Sequence, residues 1–238
     1  MKQKLLSWQI VGGVLLSFGI LLGFAINSVI VWGDLEATVF TNGINGESSF
    51  KNLNCPVIIT PKETGTVSVV IKNPVDKMSD RYLRAFITEG YATLVREIKT
   101  KISLSPKGKQ KVEWKVYPED AAFERVILFR VYMNAKYPYP SMSGNCGIIK
   151  IGIPWLRGDQ ILAIASGMSL SSFALGAVVI NVRGTSKKKK VNSTRNAAYI
   201  LAVCLFITAV LSYFGFWLLG LMGLTVAIIL VGLIIFHR

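Results

Sequence analysis

Residues 8–32 read WQIVGGVLLSFGILLGFAINSVIVW, a stretch of 25 residues without a charged side chain. An α-helix needs about 20 apolar residues to cross the roughly 30 Å hydrocarbon core of a bilayer. We therefore predict a transmembrane helix here. A cleaved signal peptide is the alternative, because MKQK (1–4) is a basic start and residues 23–25 form an acceptable cleavage site. The apolar run favours an uncleaved anchor, since it continues past the usual length of a signal core.

Three further apolar stretches lie towards the other end of the chain, at residues 160–182, 197–213 and 216–236. The composition is also that of a membrane protein, since 52% of the 238 residues are hydrophobic, 17% are charged and the mean hydropathy is +0.48. We predict four transmembrane helices. Residues 33–159 form a separate domain between the first and the second, and the last two helices form a hairpin with a short hinge at residues 214–215.

The charge distribution predicts an orientation in the cell membrane. All 13 acidic residues lie between Asp34 and Asp159, whereas the segments 1–7, 183–196 and 237–238 carry only basic charges. Because cytoplasmic segments are enriched in Lys and Arg, these three segments are predicted to be cytoplasmic and residues 33–159 extracytoplasmic.

The loop RGTSKKKKVNSTR (183–195) contains Lys187, Lys188, Lys189 and Lys190. We interpret these lysines as topology determinants that also contact anionic lipid headgroups. The loop lacks aromatic residues for base stacking and is too short for a folded nucleic-acid-binding module, so no nucleic-acid partner is predicted.

The extracytoplasmic block is predicted to be all-β. It consists mostly of short segments rich in β-branched and aromatic residues, separated by Gly, Pro, Asn and Asp. In residues 112–117, Val112, Trp114 and Val116 alternate with Glu113, Lys115 and Tyr117, as in a half-buried antiparallel strand. The predicted strands are residues 35–40, 56–60, 65–73, 83–88, 92–104, 109–117, 125–133 and 146–153. Seven or eight such strands in one domain favour a β-sandwich.

Two segments of this block resemble the sequence pattern of a known domain family. TPKETGTVSVVIKNP (60–74) and LSPKGKQKVEWKVYPED (104–120) resemble the strand-turn-strand pattern of bacterial immunoglobulin-like adhesion-type domains. The resemblance implies an immunoglobulin-like sandwich and a general binding role, and it carries no catalytic residues with it.

Cysteine usage predicts one disulfide. Cys55 and Cys146 are the only cysteines of the block, and an oxidising compartment favours a bridge between them. The alternative is a pair of thiols that bind a metal, but two ligands with no His in the block would be an incomplete site. Neither a metal nor a cofactor is predicted. Cys204, inside the third helix, is interpreted as a small packing residue.

Catalytic motifs are scarce. His237 is the single histidine, which excludes triads and metal motifs that use His, and there is no phosphate-binding loop or Cys-x-x-Cys. Glu119 and Asp120 follow Pro118 in an apparent turn, where carboxylates are usually solvated. We therefore predict that the protein is not an enzyme.

Small residues recur at four-residue spacing in the first two apolar stretches and allow close approach of helix backbones. They are Gly19 with Gly23, Gly167 with Ser171, and Ser172 with Gly176. They could pack the protein's own helices or another membrane subunit. On the outer side, Tyr137 and Tyr139 lie in the predicted loop NAKYPYPSMSGN (134–145). There they either contact a partner protein or fold back over the end of the sandwich.

These features predict a non-catalytic accessory or assembly subunit of a larger membrane complex, whose partners are other integral membrane proteins. The alternative is a transporter or channel component with a ligand-capturing or gating ectodomain. The helices argue against this alternative, because they lack the ionisable residues that a proton or ion pathway normally requires.

Overall fold

The computed structural model describes residues 2–40, 43, 46–50, 52–137, 140–183, 199–208, 210 and 217–236. The chain divides into two compact units. One comprises Met1–Val31 with Ala163–Arg238, and the other comprises Trp32–Leu162. The first is helical and the second is built mainly of β-strands, so a mixed helix and sheet fold is present.

Within the described ranges the chain forms four α-helices: α1 (Lys2–Val39), α2 (Gly158–Arg183), α3 (Tyr199–Thr208) and α4 (Trp217–Phe236). By length and composition, Ile10–Val39 and Gly158–Ile180 can each cross a bilayer. Tyr199–Thr208 and Leu218–Ile229 are shorter apolar helices. Within the described residues, two of the four predicted helices therefore have spanning length, and four spanning helices are not shown.

The helical unit has its own small core. Leu201 and Leu205 of α3 lie four residues apart, and Leu224 and Ala227 of α4 lie three apart, so each pair shares one helix face. Both pairs are buried together with Val31 of α1. The contact between α3 and α4 is close, because a Cβ added at Gly223 would overlap the Thr208 hydroxyl.

Nine strands and one 3₁₀ turn, η1 (Pro118–Asp120), form the described part of the second unit apart from its helical ends. The strands are β1 (Ser48–Ser49), β2 (Leu53–Asn54), β3 (Ile58–Ile59), β4 (Gly65–Lys72), β5 (Ser79–Glu89), β6 (Tyr91–Leu104), β7 (Lys109–Val116), β8 (Val126–Met133) and β9 (Met142–Lys150). One sheet has the order β1-β9-β8-β5-β6, with β3 also paired to β9, and the other has the order β2-β4-β7. Most pairs are antiparallel, as expected, but the short β1 and β3 pair with β9 in parallel.

The two sheets share one hydrophobic core. The register pairs Val67 with Trp114 and Val69 with Val112, so the apolar residues of β4 and β7 lie on one face. Trp114 is buried against Phe129 of β8, with ring centroids 5.6 Å apart. The alternation observed in residues 112–117 therefore identifies the buried face correctly.

One predicted strand is wrong. Residues 35–39 belong to α1, which continues seven residues past the predicted boundary at Trp32. A six-residue apolar and polar pattern fits either a strand or a helix. Packing decides between them, because Ala37 and Phe40 lie three residues apart and are buried in one cluster with Phe86 and Leu128 of the larger sheet.

Polar contacts also hold the end of α1 on the outer face of that sheet. The buried Arg130 of β8 donates from Nη2 to the Thr38 carbonyl oxygen at 3.2 Å. Asn145 of β9 donates from Nδ2 to the Thr38 hydroxyl at 2.9 Å. Arg130 thus supplies a positive charge and a donor to carbonyls that a helix C-terminus leaves without intrahelical partners. Burial lowers the pKa of Arg130 below its ordinary value.

The backbones of α1 and β9 also approach each other closely. A Cβ added at Gly147 of β9 would overlap the backbone of Gly33 in α1, so no larger residue fits there without a shift. The close approach explains why glycine occurs within β9, where it otherwise weakens a strand.

Candidate functional site

A half-open apolar groove runs between α1, α2 and α3 in the helical unit. It has a volume of about 450 Å³, and its lining includes Gly23 of α1, Ser166 and Phe173 of α2, and Ala202 and Phe206 of α3. The volume is in the range of small-molecule sites. Here the lining is almost entirely hydrocarbon, which suits an apolar occupant.

Asn27 is a polar residue within this apolar lining. Its buried side chain donates from Nδ2 to the carbonyl oxygens of Gly23 at 3.0 Å and Leu205 at 3.4 Å. The Oδ1 atom is also buried and has no hydrogen-bond partner among the described residues. Asn27 thereby joins α1 to α3, and it could not be identified from its position towards the end of an apolar stretch.

The predicted small residues divide into two groups. Gly19, Gly23 and Gly176 lie at the contact of α1 with α2, where an added Cβ would come within 3 Å of the other helix. At Gly19 the nearest atoms are the Phe173 nitrogen and the Ser169 oxygen, both at 2.7 Å. The α1 and α2 backbones therefore approach as closely as small-residue motifs allow.

Gly167 and Ser171 do not take part in this contact. Gly167 has open space around its Cβ position. Ser171 is exposed, and its hydroxyl bonds only to the Met168 carbonyl in the same helix. Ser172 is half-buried. Sequence spacing missed Ser169, whose hydroxyl donates to the Gly19 carbonyl at 2.7 Å. The sequence indicated this role only by a Ser between Gly167 and Ser171 in a Ser-rich helix.

Glu63 caps the first turn of α2, which belongs to the β-strand unit. Its carboxylate accepts from the Gly158 N–H at 3.0 and 3.2 Å and from the Thr60 N–H at 2.9 Å. A negative charge at a helix N-terminus is favourable, because the first N–H groups lack intrahelical acceptors. The pattern of residues 60–63 indicated a turn but not its distant partner at Gly158.

Replacing Glu63 with Ala is expected to destabilise the first turn of α2 by about 1 kcal/mol, as for the loss of a helix cap. Hydrogen exchange of the amides at residues 158–162, measured in detergent, should become faster. Lys62→Ala is the control, because Lys62 is the exposed neighbour in the same turn. Equal exchange in both variants would contradict the assigned cap.

The predicted disulfide is present between Cys55 and Cys146. Cys55 follows β2 in the smaller sheet and Cys146 lies in β9 of the larger one, so the bridge connects the two sheets. Cys204 is a free thiol in α3. In the part of the chain that the structure describes, no three His, Cys, Asp or Glu side chains are grouped as metal ligands.

Asp120 was interpreted as a solvated turn residue, and that interpretation is wrong. The side chain is buried, accepts from the Tyr117 N–H at 2.8 Å and pairs with Arg96 at 2.8 Å. Burial raises the pKa of Asp120 above its ordinary value of 3.8, and the Tyr117 and Arg96 contacts oppose that rise. Glu119 is exposed. The two neighbouring carboxylates therefore lie in different environments. Asp120 connects η1 to Arg96 of β6.

The predicted loop before the last strand is shorter than expected, because β9 already begins at Met142. Tyr137 is 98% exposed, so it does not fold back over the sheets. Tyr139 lies outside the described residues, as do Lys187, Lys188, Lys189 and Lys190.

No protein-family model matches the chain, and no curated protein is similar to it. Among solved structures, a Paenibacillus sp. cycloisomaltooligosaccharide glucanotransferase shows 9% identity and a TM-score of 0.33 over 47% of this chain and 15% of that one. A CARDB domain from Pyrococcus furiosus shows 11% identity and a TM-score of 0.31 over 41% of this chain and 88% of that one. A Bacteroides uniformis β-glucuronidase shows 13% identity and a TM-score of 0.31 over 40% and 12%. Similarities this weak do not bear on function.

Proposed function

We propose that this protein is a non-catalytic accessory or assembly subunit of a larger membrane complex. In this proposal the four apolar helices lie in the cell membrane with both termini in the cytoplasm. The β-strand unit lies outside, as an immunoglobulin-like module for protein contact. The basic segments at residues 1–7, 183–196 and 237–238 support this orientation.

The groove between α1, α2 and α3 is the observation that carries the proposal. Small residues line it, including Gly23, Ser166 and Ala202, while Leu170, Val203 and Phe206 along it are exposed. In hydrocarbon, helices associate through packing, and small residues let a second backbone approach. The groove suits a transmembrane helix of another subunit, which would cover these exposed side chains.

Features of the β-strand unit support an external location. A bridge such as Cys55–Cys146 persists in oxidising compartments and is rare in the cytosol. The exposed Tyr137 offers a large contact area at low cost in conformational entropy.

The test is a substitution that fills the groove. Ser166→Phe places a ring in the groove and is expected to reduce severalfold the amount of partner subunits that remain bound during purification from native membranes in mild detergent. Mass spectrometry of the bound proteins measures their ratio to this protein.

Ser171→Phe is the matched control, because Ser171 lies on the same helix but is exposed and does not line the groove. Substitutions at Gly19 are unsuitable, since they would displace α2 itself. Equal loss of partners in both variants, or a wild-type protein that purifies alone, would contradict the proposed docking site. The second outcome would favour a transport or channel component, which flux measurements in liposomes would test.

A further inference from the structure

The turn before β8 presents an aromatic side chain to the surface in a costly backbone conformation. Phe123 and Glu124 have φ angles of 50° and 57°, in the left-handed region that residues with a Cβ rarely occupy. The Phe123 side chain is nevertheless 66% exposed. Burial in the core does not explain this conformation, and strained positions of this kind are often found at functional surfaces.

Neighbouring segments extend this apolar surface. The Phe123 N–H donates to the Gly90 carbonyl at 3.0 Å, which brings the β5–β6 turn alongside. The Tyr91 ring stands edge-on to the Phe123 ring, with centroids 6.1 Å apart. Tyr91 is 58% exposed.

The same end of the sheets leads into α2. The Lys150 N–H at the end of β9 donates to the Arg125 carbonyl at 2.8 Å, so β9 ends beside the turn that carries Phe123. The chain then passes Trp155, which is 80% exposed, and enters α2 at Gly158. Tyr137 follows the other end of β8 and therefore lies at the opposite end of the sheets.

We infer that Tyr91 and Phe123 insert, together with Trp155, into the interfacial region of the lipid bilayer. Aromatic rings are favoured at headgroup depth, where part of each ring leaves water and part stays hydrated. The turn that carries Phe123 lies beside the end of β9, and Trp155 lies between that end and the start of α2, a helix of spanning length. The inference rests on the proposed function in one respect, because it requires α2 to lie in the bilayer.

The test uses spin labels on single cysteines introduced into the full chain with Cys204→Ser and the disulfide intact. The purified protein is reconstituted without partners into phosphatidylcholine and phosphatidylglycerol vesicles. Labels are placed at positions 123, 137 and 175. Leu175 is exposed on α2 away from the groove, and Tyr137 is the matched exposed aromatic at the far end. The accessibility of each label to oxygen and to a water-soluble nickel chelate reports its depth.

We expect the ratio of oxygen to nickel accessibility at position 123 to exceed that at position 137 severalfold, and a label at Tyr91 to repeat the result. A label at 175 in the hydrocarbon with one at 123 in water would overturn the inference but leave the membrane location intact. Labels at both 175 and 123 in water would overturn the membrane location as well. A label at 123 shielded from both reagents would identify a protein contact and also overturn the inference.

Discussion

Replacing both Cys55 and Cys146 with Ala is expected to lower the free energy of unfolding of the β-strand unit by about 4 kcal/mol. The two cysteines are 91 residues apart in sequence, and in the chain-entropy description a bridge across so long a loop removes much of the freedom of the unfolded chain. Protection of the slowest amides in β4 and β8 against hydrogen exchange should fall about a thousandfold.

Cys204→Ala is the control, because it removes the free thiol of α3 and leaves the bridge in place. It should leave the exchange of β4 and β8 unchanged. Wild-type protection in the double variant would show that the shared core alone holds the two sheets together, and would contradict a stabilising role for the bridge.

Gly147→Val is expected to destabilise the β-strand unit by about 3 kcal/mol, the upper part of the usual range for overpacking. The added side chain would overlap the Gly33 backbone, which cannot yield as the end of a flexible side chain can. Residues 33–39 should then separate from the larger sheet. Hydrogen exchange in these residues should accelerate far more than in β7, which belongs to the other sheet.

The matched control is Gly152→Val, two residues after β9, where an added Cβ meets no atom within 4 Å. It introduces the same side chain without the overlap. Equal hydrogen-exchange rates at residues 33–39 in the two variants would contradict the role of the Gly147–Gly33 contact in holding the end of α1.

Much of the β-strand unit was predictable because local patterns and packing agree there. Residues 65–73, 109–117 and 125–133 alternate or run apolar between turn residues, and each contains an observed strand of eight residues. The disulfide was predictable from the cysteine count and the predicted oxidising compartment. The short strands β1 and β2 were missed, because two residues are too few for a period to show.

The groove was less predictable, although the residue types that line it were noted. Four-residue spacing marked Gly19 and Gly176 but also marked Gly167 and Ser171, which face away from α1. An uncharged helix that is apolar on every side has no polar face to show its orientation. Only contacts such as that of Ser169 with Gly19 reveal which side of α2 packs against α1.

By itself the sequence determined the apolar helices, the alternating strands and the partners of the disulfide, since hydrophobic period, length and residue count are properties of the chain alone. Only the tertiary structure decided that residues 35–39 are helical, that Asp120 is buried and that Glu63 reaches Gly158. In each of these cases a short local pattern permits two conformations or environments. The choice depends on a burial or hydrogen-bond partner that is distant in the sequence, and its contribution outweighs local preference.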